Sequence, residues 1–167
     1  DRIPILEVSG YEADDVIGTL ATEAGRQGII TYMMTPDKDY GQLVSDNVFM
    51  YRPKHSGGFE VMGIDEIKAK FNIRSTEQVI DMLGLMGDSS DNIPGCPGVG
   101  EKTAQKLVAE FDSIENLLAH TDQLKGALKT KVEANREMIT FSKFLATIKV
   151  DVPIKLDMTT LVREEPD

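Results

Sequence analysis

The sequence predicts an α/β protein, a small parallel sheet with crossover helices followed by an all-α part. Three observations carry this expectation. Strand-like and helix-like periodicities alternate over the first 51 residues, the pattern of parallel strands joined by crossovers. From Ile64 to Ile148 apolar residues recur at spacings of three and four, without a further strand signal. Inside that helical part lies the densest turn signal of the chain, Asn92-Ile93-Pro94-Gly95-Cys96-Pro97-Gly98-Val99-Gly100.

In chain order, Ile3 to Val8 is a short β-prone run. Ser9 and Glu12 fit an S-x-x-E capping box, and Ala13, Val16, Ile17, Leu20, Ala21 and Ala24 lay one apolar face along the helix it opens. Gly25 and Gly28 end that helix. Ile29 to Met34 is a continuous apolar run of strand length, expected to be buried on both faces. Pro36 stops it, Asp37-Lys38-Asp39 follows, and Val48 to Tyr51 is a second strand. Residues 53–58 read as an exposed loop. Ile64 to Phe71 is a short helix, and Ser75 opens the next with Gln78 as its reciprocal capping partner, ending at Met86 before Gly87. Glu101 to Phe111 is helical with Ala104, Leu107, Val108 and Phe111 on one face, and helices follow over Ile114–Ala119 and Lys129–Ile148. From Asp151 the chain is polar and carries Pro153, as in an edge strand or linker.

The 167 residues include 18 Lys plus Arg and 28 Asp plus Glu, a formal charge of −10, with 41% hydrophobic residues. That composition suits a soluble folded domain and excludes a disordered tail. No apolar run approaches the ~18 residues that cross a bilayer, so no membrane partner is expected. The single cysteine, Cys96, excludes an internal disulfide framework and fits a reducing, cytoplasmic compartment. The acidic balance argues at first against a nucleic-acid partner, but it is unevenly spread. The net charge is −8 over residues 1–92, +1 over 93–150 and −3 over 151–167. The chain opens on Asp1-Arg2-Ile3-Pro4 without a methionine, as a piece of a longer protein would.

Three acidic groups stand out. Glu12, Asp14 and Asp15 fall in the first turn of a helix, where the dipole favours anions by about 0.3–1 kcal/mol each. Asp37 and Asp39 follow a strand, at the edge where open parallel sheets bind ligands. Asp88 and Asp91 follow a helix. Singly, each group also fits an ordinary reading: dipole complementation, a turn former, an N-cap. Together, seven carboxylates converging on one place would repel one another and raise their pKa values unless a cation relieves them. Oxygen ligands without His or Cys point to Mg²⁺ or Mn²⁺ and away from zinc. Two such ions about 3.5–4 Å apart are the usual apparatus of phosphodiester hydrolysis.

The segment Ile93–Ala104 is the most specific. Gly98 and Gly100 precede a helix whose free N–H groups suit a phosphate, and Lys102 and Thr103 add a charge and a hydroxyl. The Walker A spacing fails, because Glu101 stands where its lysine belongs. The P-G-x-x-G-x-G pattern matches a helix–hairpin–helix, a module that holds DNA by its backbone. Gly95, Gly98, Val99, Gly100, Lys102, Thr103 and Lys106 are its candidate DNA-binding residues, and Lys125, Lys129, Lys131 and Arg136 are placed to extend that surface. A tight helix–helix turn is the plain alternative. Cys96 reads as a small turn residue, Met82 and Met86 as core, and neither His55 nor His120 has an assigned role.

With these residues in hand the chain resembles the 5′-nuclease domain of bacterial DNA polymerases of the first family, relatives of flap endonucleases. The matching stretches are Gly10-Tyr11-Glu12-Ala13-Asp14-Asp15, Thr35-Pro36-Asp37-Lys38-Asp39, Gly87-Asp88-Ser89-Ser90-Asp91-Asn92-Ile93-Pro94-Gly95 and Pro97-Gly98-Val99-Gly100-Glu101-Lys102-Thr103-Ala104. Phe144–Ile148 and Val152–Ile154 are similar to the end of that domain. The resemblance implies a partial PIN-like, Rossmann-like nuclease core over residues 1–57. A helical helix–three-turn–helix subdomain over 58–155 and a linker over 156–167 complete the implied organisation. It implies that Glu12, Asp14 and Asp15 form the first metal-binding group, Asp37 and Asp39 the second, and Asp88 and Asp91 the third. It further implies two Mg²⁺ or Mn²⁺ ions, a K⁺ ion held by backbone carbonyls at the hairpin, and a monomer acting on duplex DNA with a 5′ end or 5′ flap. The family's domain starts earlier, with an Asp-bearing strand and a helical arch that this chain does not include, so the chain alone is expected to be inactive or severely weakened. Two other readings compete. One is a non-catalytic helix–hairpin–helix binding module whose acids merely solubilise. The other is a phosphoacceptor receiver domain, disfavoured because Asp14-Asp15 lie inside a helix and receivers lack the hairpin.

Overall fold

The protein is described as a computed structural model covering residues 3–165; Asp1-Arg2 and the last two residues of the expected linker lie outside the described residues. Helix α1 (Ala13–Arg26) forms on the predicted apolar face, burying Val16, Ala21 and Ala24, while Ile17 stays exposed. It does not open at Ser9. A turn closed by the Tyr11 N–H on the Val8 carbonyl, with Gly10 at φ 87°, precedes it, and Glu12 is the N-cap. The left-handed glycine interrupts the backbone between the two capping-box partners, so that box cannot form. Residues 3–8 form no strand, because no neighbouring strand supplies them a ladder of hydrogen bonds.

Strands β1 (Thr31–Met34), β2 (Val48–Pro53) and β3 (Phe59–Met62) make one sheet in that order, β1–β2 parallel and β2–β3 antiparallel. The register pairs Met33 with Met50 and Met50 with Met62, so these three residues share one buried face with Val48. The other face is open: Tyr32, Met34, Phe59 and Val61 are exposed, and rings of Tyr32, Phe49, Tyr51 and Phe59 touch in series at 4.8–6.3 Å. The expectation of a strand buried on both sides is therefore corrected: among the described residues β1 buries one face, and its Tyr32 meets aromatic rings of the neighbouring strand on the other. The 53–58 segment is the tip of the β2–β3 hairpin, and the expected boundary after residue 57 falls inside it. Strand β3 escaped the sequence because four residues carry too little alternation to register.

The crossover from β1 to β2 is a 3₁₀ helix, Lys38–Leu43, rather than an α-helix. Helices α2 (Ile64–Phe71), α3 (Gln78–Met86), α4 (Glu101–Phe111), α5 (Ile114–Ala119), α6 (Gly126–Ala134) and α7 (Arg136–Ala146) follow. In α4 the predicted face, Ala104, Leu107, Val108 and Phe111, is the buried one. The single helix expected over 129–148 is two helices, because Asn135 leaves helical geometry at φ −117°, ψ 24°. The Ser75–Gln78 box is replaced: the Gln78 side chain accepts from the Arg74 N–H at 2.8 Å and donates to Asp112 Oδ1 at 2.7 Å. Helix α3 is the centre of the molecule, with Val79, Met82 and Leu83 fully buried against α4, α5 and α7. Its Gly84 allows α7 to approach so closely that an added Cβ would lie 3.2 Å from the Lys143 Cα. Among the described residues after α7 there is no strand; Val152 is buried and its N–H donates to Thr19 Oγ1 at 3.1 Å, tying the tail to α1. Among the described residues no helix is long and apolar enough to cross a membrane.

Candidate metal centre and nucleic-acid interface

Pro36 ends the sheet's first strand and the chain turns directly into the 3₁₀ helix. Asp37 caps it, its Oδ1 accepting from the Asp39 N–H at 2.9 Å, while its own N–H donates to Thr35 Oγ1 at 3.1 Å. A second capped turn faces it. Asp88 Oδ1 accepts from Ser90 N–H at 3.0 Å and Ser90 Oγ at 2.5 Å, opening the 3₁₀ turn Ser89–Asp91, which the Asp88–Ile93 backbone bridge closes. Side-chain capping of tight turns is what Asp does well, and here it brings acids from two distant turns together. Carboxylate oxygens of Asp37, Asp39 and Asp91 lie within 4.8 Å of one another.

Asp39 is buried and its Oδ1 has no hydrogen-bond partner. Burial, then the hydrogen bond with Asp91 and the charge of Asp37, pushes its pKa up to about 8. Burial also raises the Asp37 pKa, against the pull of the Asp39 N–H, and the charges of Asp91, Asp14 and Asp88 add to the rise. Asp88 stands beside the trio, its Oδ2 2.9 Å from Lys38 Nζ. Burial works against the Lys38 charge, yet Asp88 holds its pKa above the ordinary value. Asp88 itself is held low, the bonds from Ser90 and Lys38 outweighing burial.

The first acidic group is dispersed. Asp14 Oδ1 accepts from the Tyr40 hydroxyl at 2.7 Å and contributes its charge to Asp37. Asp15 Oδ1 accepts from the Lys149 N–H at 3.0 Å, fastening the tail. Glu12 is exposed at the N-cap of α1. Of the seven predicted carboxylates, three gather, Asp14 and Asp88 flank them, and Asp15 and Glu12 have other surroundings. Sequence reasoning missed Lys38 and Tyr40 as members of the site. A base between two acids was the visible signal for Lys38, whereas nothing in the sequence pointed from Tyr40 to Asp14.

The hairpin divides into inward and outward residues. Gly95 is buried at φ 67°, its N–H donates to Ser142 Oγ at 2.8 Å, and an added Cβ would lie 2.8 Å from the Gly87 Cα. Its glycine serves that close crossing rather than a ligand. The Val99 side chain is core, and Thr103 is half-buried. Gly98 lies at φ 80° under the Lys131 side chain, and Gly100 is the exposed N-cap of α4 with open space around it. Lys102 and Lys106 are exposed one turn apart on α4. Arg136 does not extend this surface, because its guanidinium donates to the Leu118 carbonyl at 2.7 Å and Thr121 Oγ1 at 3.0 Å. Cys96 is a buried turn residue, its N–H donating to the Leu85 carbonyl.

The trio fits a divalent cation. Three oxygen donors converge, and one oxygen is buried without a partner. Acidic turns beside a strand end, continued by a helical subdomain with a glycine hairpin, define a nuclease-type fold. The chain belongs to the 5′-3′ exonuclease family: residues 2–72 match its N-terminal resolvase-like domain and residues 74–167 its C-terminal SAM fold. Similar proteins include DNA polymerase I of Bacillus caldotenax, 42% identical over 99% of this chain and 19% of that protein. DNA polymerase I of Bacillus subtilis is 46% identical over 96% of this chain and 18% of its own length. The thermostable DNA polymerase I of Thermus aquaticus is 40% identical over 97% of this chain and 19% of its own. The chain thus spans less than a fifth of the length of these relatives. Among solved structures, the T5 5′-exonuclease with bound zinc superposes with a TM-score of 0.74 at 24% identity, covering 86% of this chain and 52% of that one. A bacteriophage T5 flap endonuclease complex with DNA and metal ions superposes at 0.73 and 23% identity, over 84% of this chain and 51% of the other. These superpositions establish the shared fold.

Proposed function

We propose that the chain supplies metal-holding and duplex-holding parts of a nuclease that hydrolyses phosphodiesters at 5′ ends or 5′ flaps of duplex DNA, as a monomeric portion of a DNA polymerase I in replication and repair. The observation that carries this is the convergence of Asp37, Asp39 and Asp91 around the unpartnered Asp39 Oδ1. Asp37, Asp39 and Asp91 would hold Mg²⁺ or Mn²⁺, with Asp14 and Asp88 flanking and Asp15 and Glu12 in supporting places. When bound, such an ion supplies Lewis acidity and lowers the pKa of the attacking water. The chain's own residues do the positioning. Tyr40 fixes the Asp14 carboxylate, and the N-cap bonds of Asp37 and Asp88 keep the two turns in register. The free N–H groups at the start of α4, opened by Gly98 and Gly100, suit one DNA phosphate, and Lys102 and Lys106 favour the neighbouring backbone. Gly95, Val99 and Thr103 support that hairpin from within, where a K⁺ ion at its carbonyls belongs to the same reading.

The test is a Bacillus subtilis DNA polymerase I carrying this segment in place of its own. Mg²⁺-dependent cleavage of a 5′-flap duplex is expected, with loss of about a hundredfold or more in Asp39→Asn/Asp91→Asn and polymerisation unchanged. Retained cleavage in that double variant would overturn the site assignment.

A further inference from the structure

We infer that Arg52 and Lys70 hold DNA phosphates on the surface between the acidic cleft and the glycine hairpin, so that one strand passes over both on its way toward the acids. The inference rests on the duplex-holding reading above and adds the path between its two ends.

The sheet places Arg52. Strands β1 and β2 run parallel with Met34 opposite Tyr51, so the next residue of β2, Arg52, stands level with the start of the turn that carries Asp37. Along β2 it continues the alternation of the buried Val48 and Met50, and so leaves the sheet away from the aromatic face. There it lines a cleft of about 260 Å³ with Asp37 and Asp91. Half-buried among acids, Arg52 nonetheless makes no ion pair or side-chain hydrogen bond among the described residues, not even with Glu60, its partner across the β2–β3 ladder. A guanidinium keeps its charge and presents a fork of N–H donors that fits two oxygens of one phosphate. Held short of the carboxylates, that fork is open to a ligand.

Lys70 carries the path onward. It stands in the last turn of α2, where Ile67 and Phe71 take the buried face and leave Lys70 exposed. The charges that act on it mark its position: Arg52 and Lys38 from the cleft, Glu60 from β3, and Glu101 from the first turn of α4. Partial burial, then the Arg52 charge, lowers its pKa, and it too lacks an ion-pair partner among the described residues. Two neighbouring cations without a counter-ion repel, and an anion bridging them relieves that repulsion. Glu101 begins the helix whose free N–H groups suit a phosphate, so Arg52 and Lys70 connect the cleft to the hairpin.

The experiment measures binding of a fluorescent 5′-flap duplex by the whole chain in EDTA over a series of KCl concentrations. It compares wild type, Arg52→Gln, Lys70→Gln, the double variant, Arg52→Lys and Lys70→Arg, with Lys155→Gln on the tail as the control for net charge. Circular dichroism checks folding, and Arg52→Met and Lys70→Met replace a Gln variant that misfolds. Each phosphate contact contributes about 0.9 to the slope of log affinity against log salt, a count that a loss of stability does not mimic. Each neutral variant is expected to bind roughly threefold to tenfold more weakly with the slope lower by about 0.9, and the double variant to lose about twice that slope. Arg52→Lys, Lys70→Arg and Lys155→Gln should keep the wild-type slope. Neutral variants that keep that slope, or that lose no more than Lys155→Gln, would overturn the inference; a lower slope in Lys102→Gln/Lys106→Gln would then leave the hairpin reading standing. A wild-type chain that does not bind the duplex would overturn both.

Discussion

The Tyr40 hydroxyl donates a 2.7 Å hydrogen bond to Asp14 Oδ1, joining the 3₁₀ helix of the β1–β2 crossover to the first turn of α1 across 26 positions of sequence. Tyr40 is buried at 4% exposure, and burial, then the Asp14 bond, raises its pKa, so it stays a neutral donor. Removing the hydroxyl by Tyr40→Phe leaves a half-buried carboxylate short of one partner. A loss of about 1–2 kcal/mol in urea unfolding is expected, with a several-fold change in Mn²⁺ affinity because Asp14 is freed to move. Unchanged stability would show that the bond is not held in solution.

Asp39 links folding and metal binding to pH. Its pKa in the folded chain, about 8, lies above the ordinary 3.8, so its contribution to stability is fully present below about pH 4 and is lost as pH rises through 8. The metal-free chain should therefore unfold at lower denaturant at pH 9 than at pH 6, and Asp39→Asn should flatten that difference. A divalent ion requires the carboxylate, so its affinity should climb over the same interval and its binding should release a proton. Calorimetry in two buffers of different ionisation enthalpy measures that proton directly.

Two glycines of the hairpin, Gly95 and Gly100, look alike in sequence but not in space. Gly95 has positive φ and an added Cβ would overlap Gly87, so Gly95→Ala should cost at least about 2 kcal/mol. Gly100 has φ −94° and open surroundings, so Gly100→Ala should cost only about 0.5 kcal/mol, the difference between two weak caps. Duplex DNA binding should respond in the opposite order per unit of stability lost, since Gly100 faces outward. Thermal melts and a fluorescence binding titration separate the two.

Asp81 tests the helical core. Its Oδ1 accepts from Lys143 Nζ at 2.7 Å and from the Ile114 N–H at 2.9 Å, and the residue is 5% exposed. Burial raises its pKa even though Lys143 and Ile114 pull it down. Lys143→Met strands that charge and should destabilise by about 3 kcal/mol. Glu115→Gln removes only the exposed partner of Lys143 and should change stability by less than about 1 kcal/mol. Equal losses in the two variants would contradict this division.

By itself the sequence determined α1 and most of its apolar face, α4 and its apolar face, the helices α2, α3 and α5, and the parallel pair of strands. It also determined which residue types carry the chemistry, since acids at turns and a glycine-rich hairpin are local patterns with local causes. What it lacked was anything decided by approach between distant segments. The four-residue β3 exists through pairing with β2, and Asn135 divides one apparent helix in two. Above all, the carboxylates proved unequal. Asp37, Asp39 and Asp91 meet because two capped turns face one another, Asp15 is taken by the tail's Lys149 N–H, and Asp88 by Lys38. Spacing along a chain sets which side chains are available; only packing sets which of them lose their water and face a neighbour of like charge, and that is where a metal site begins.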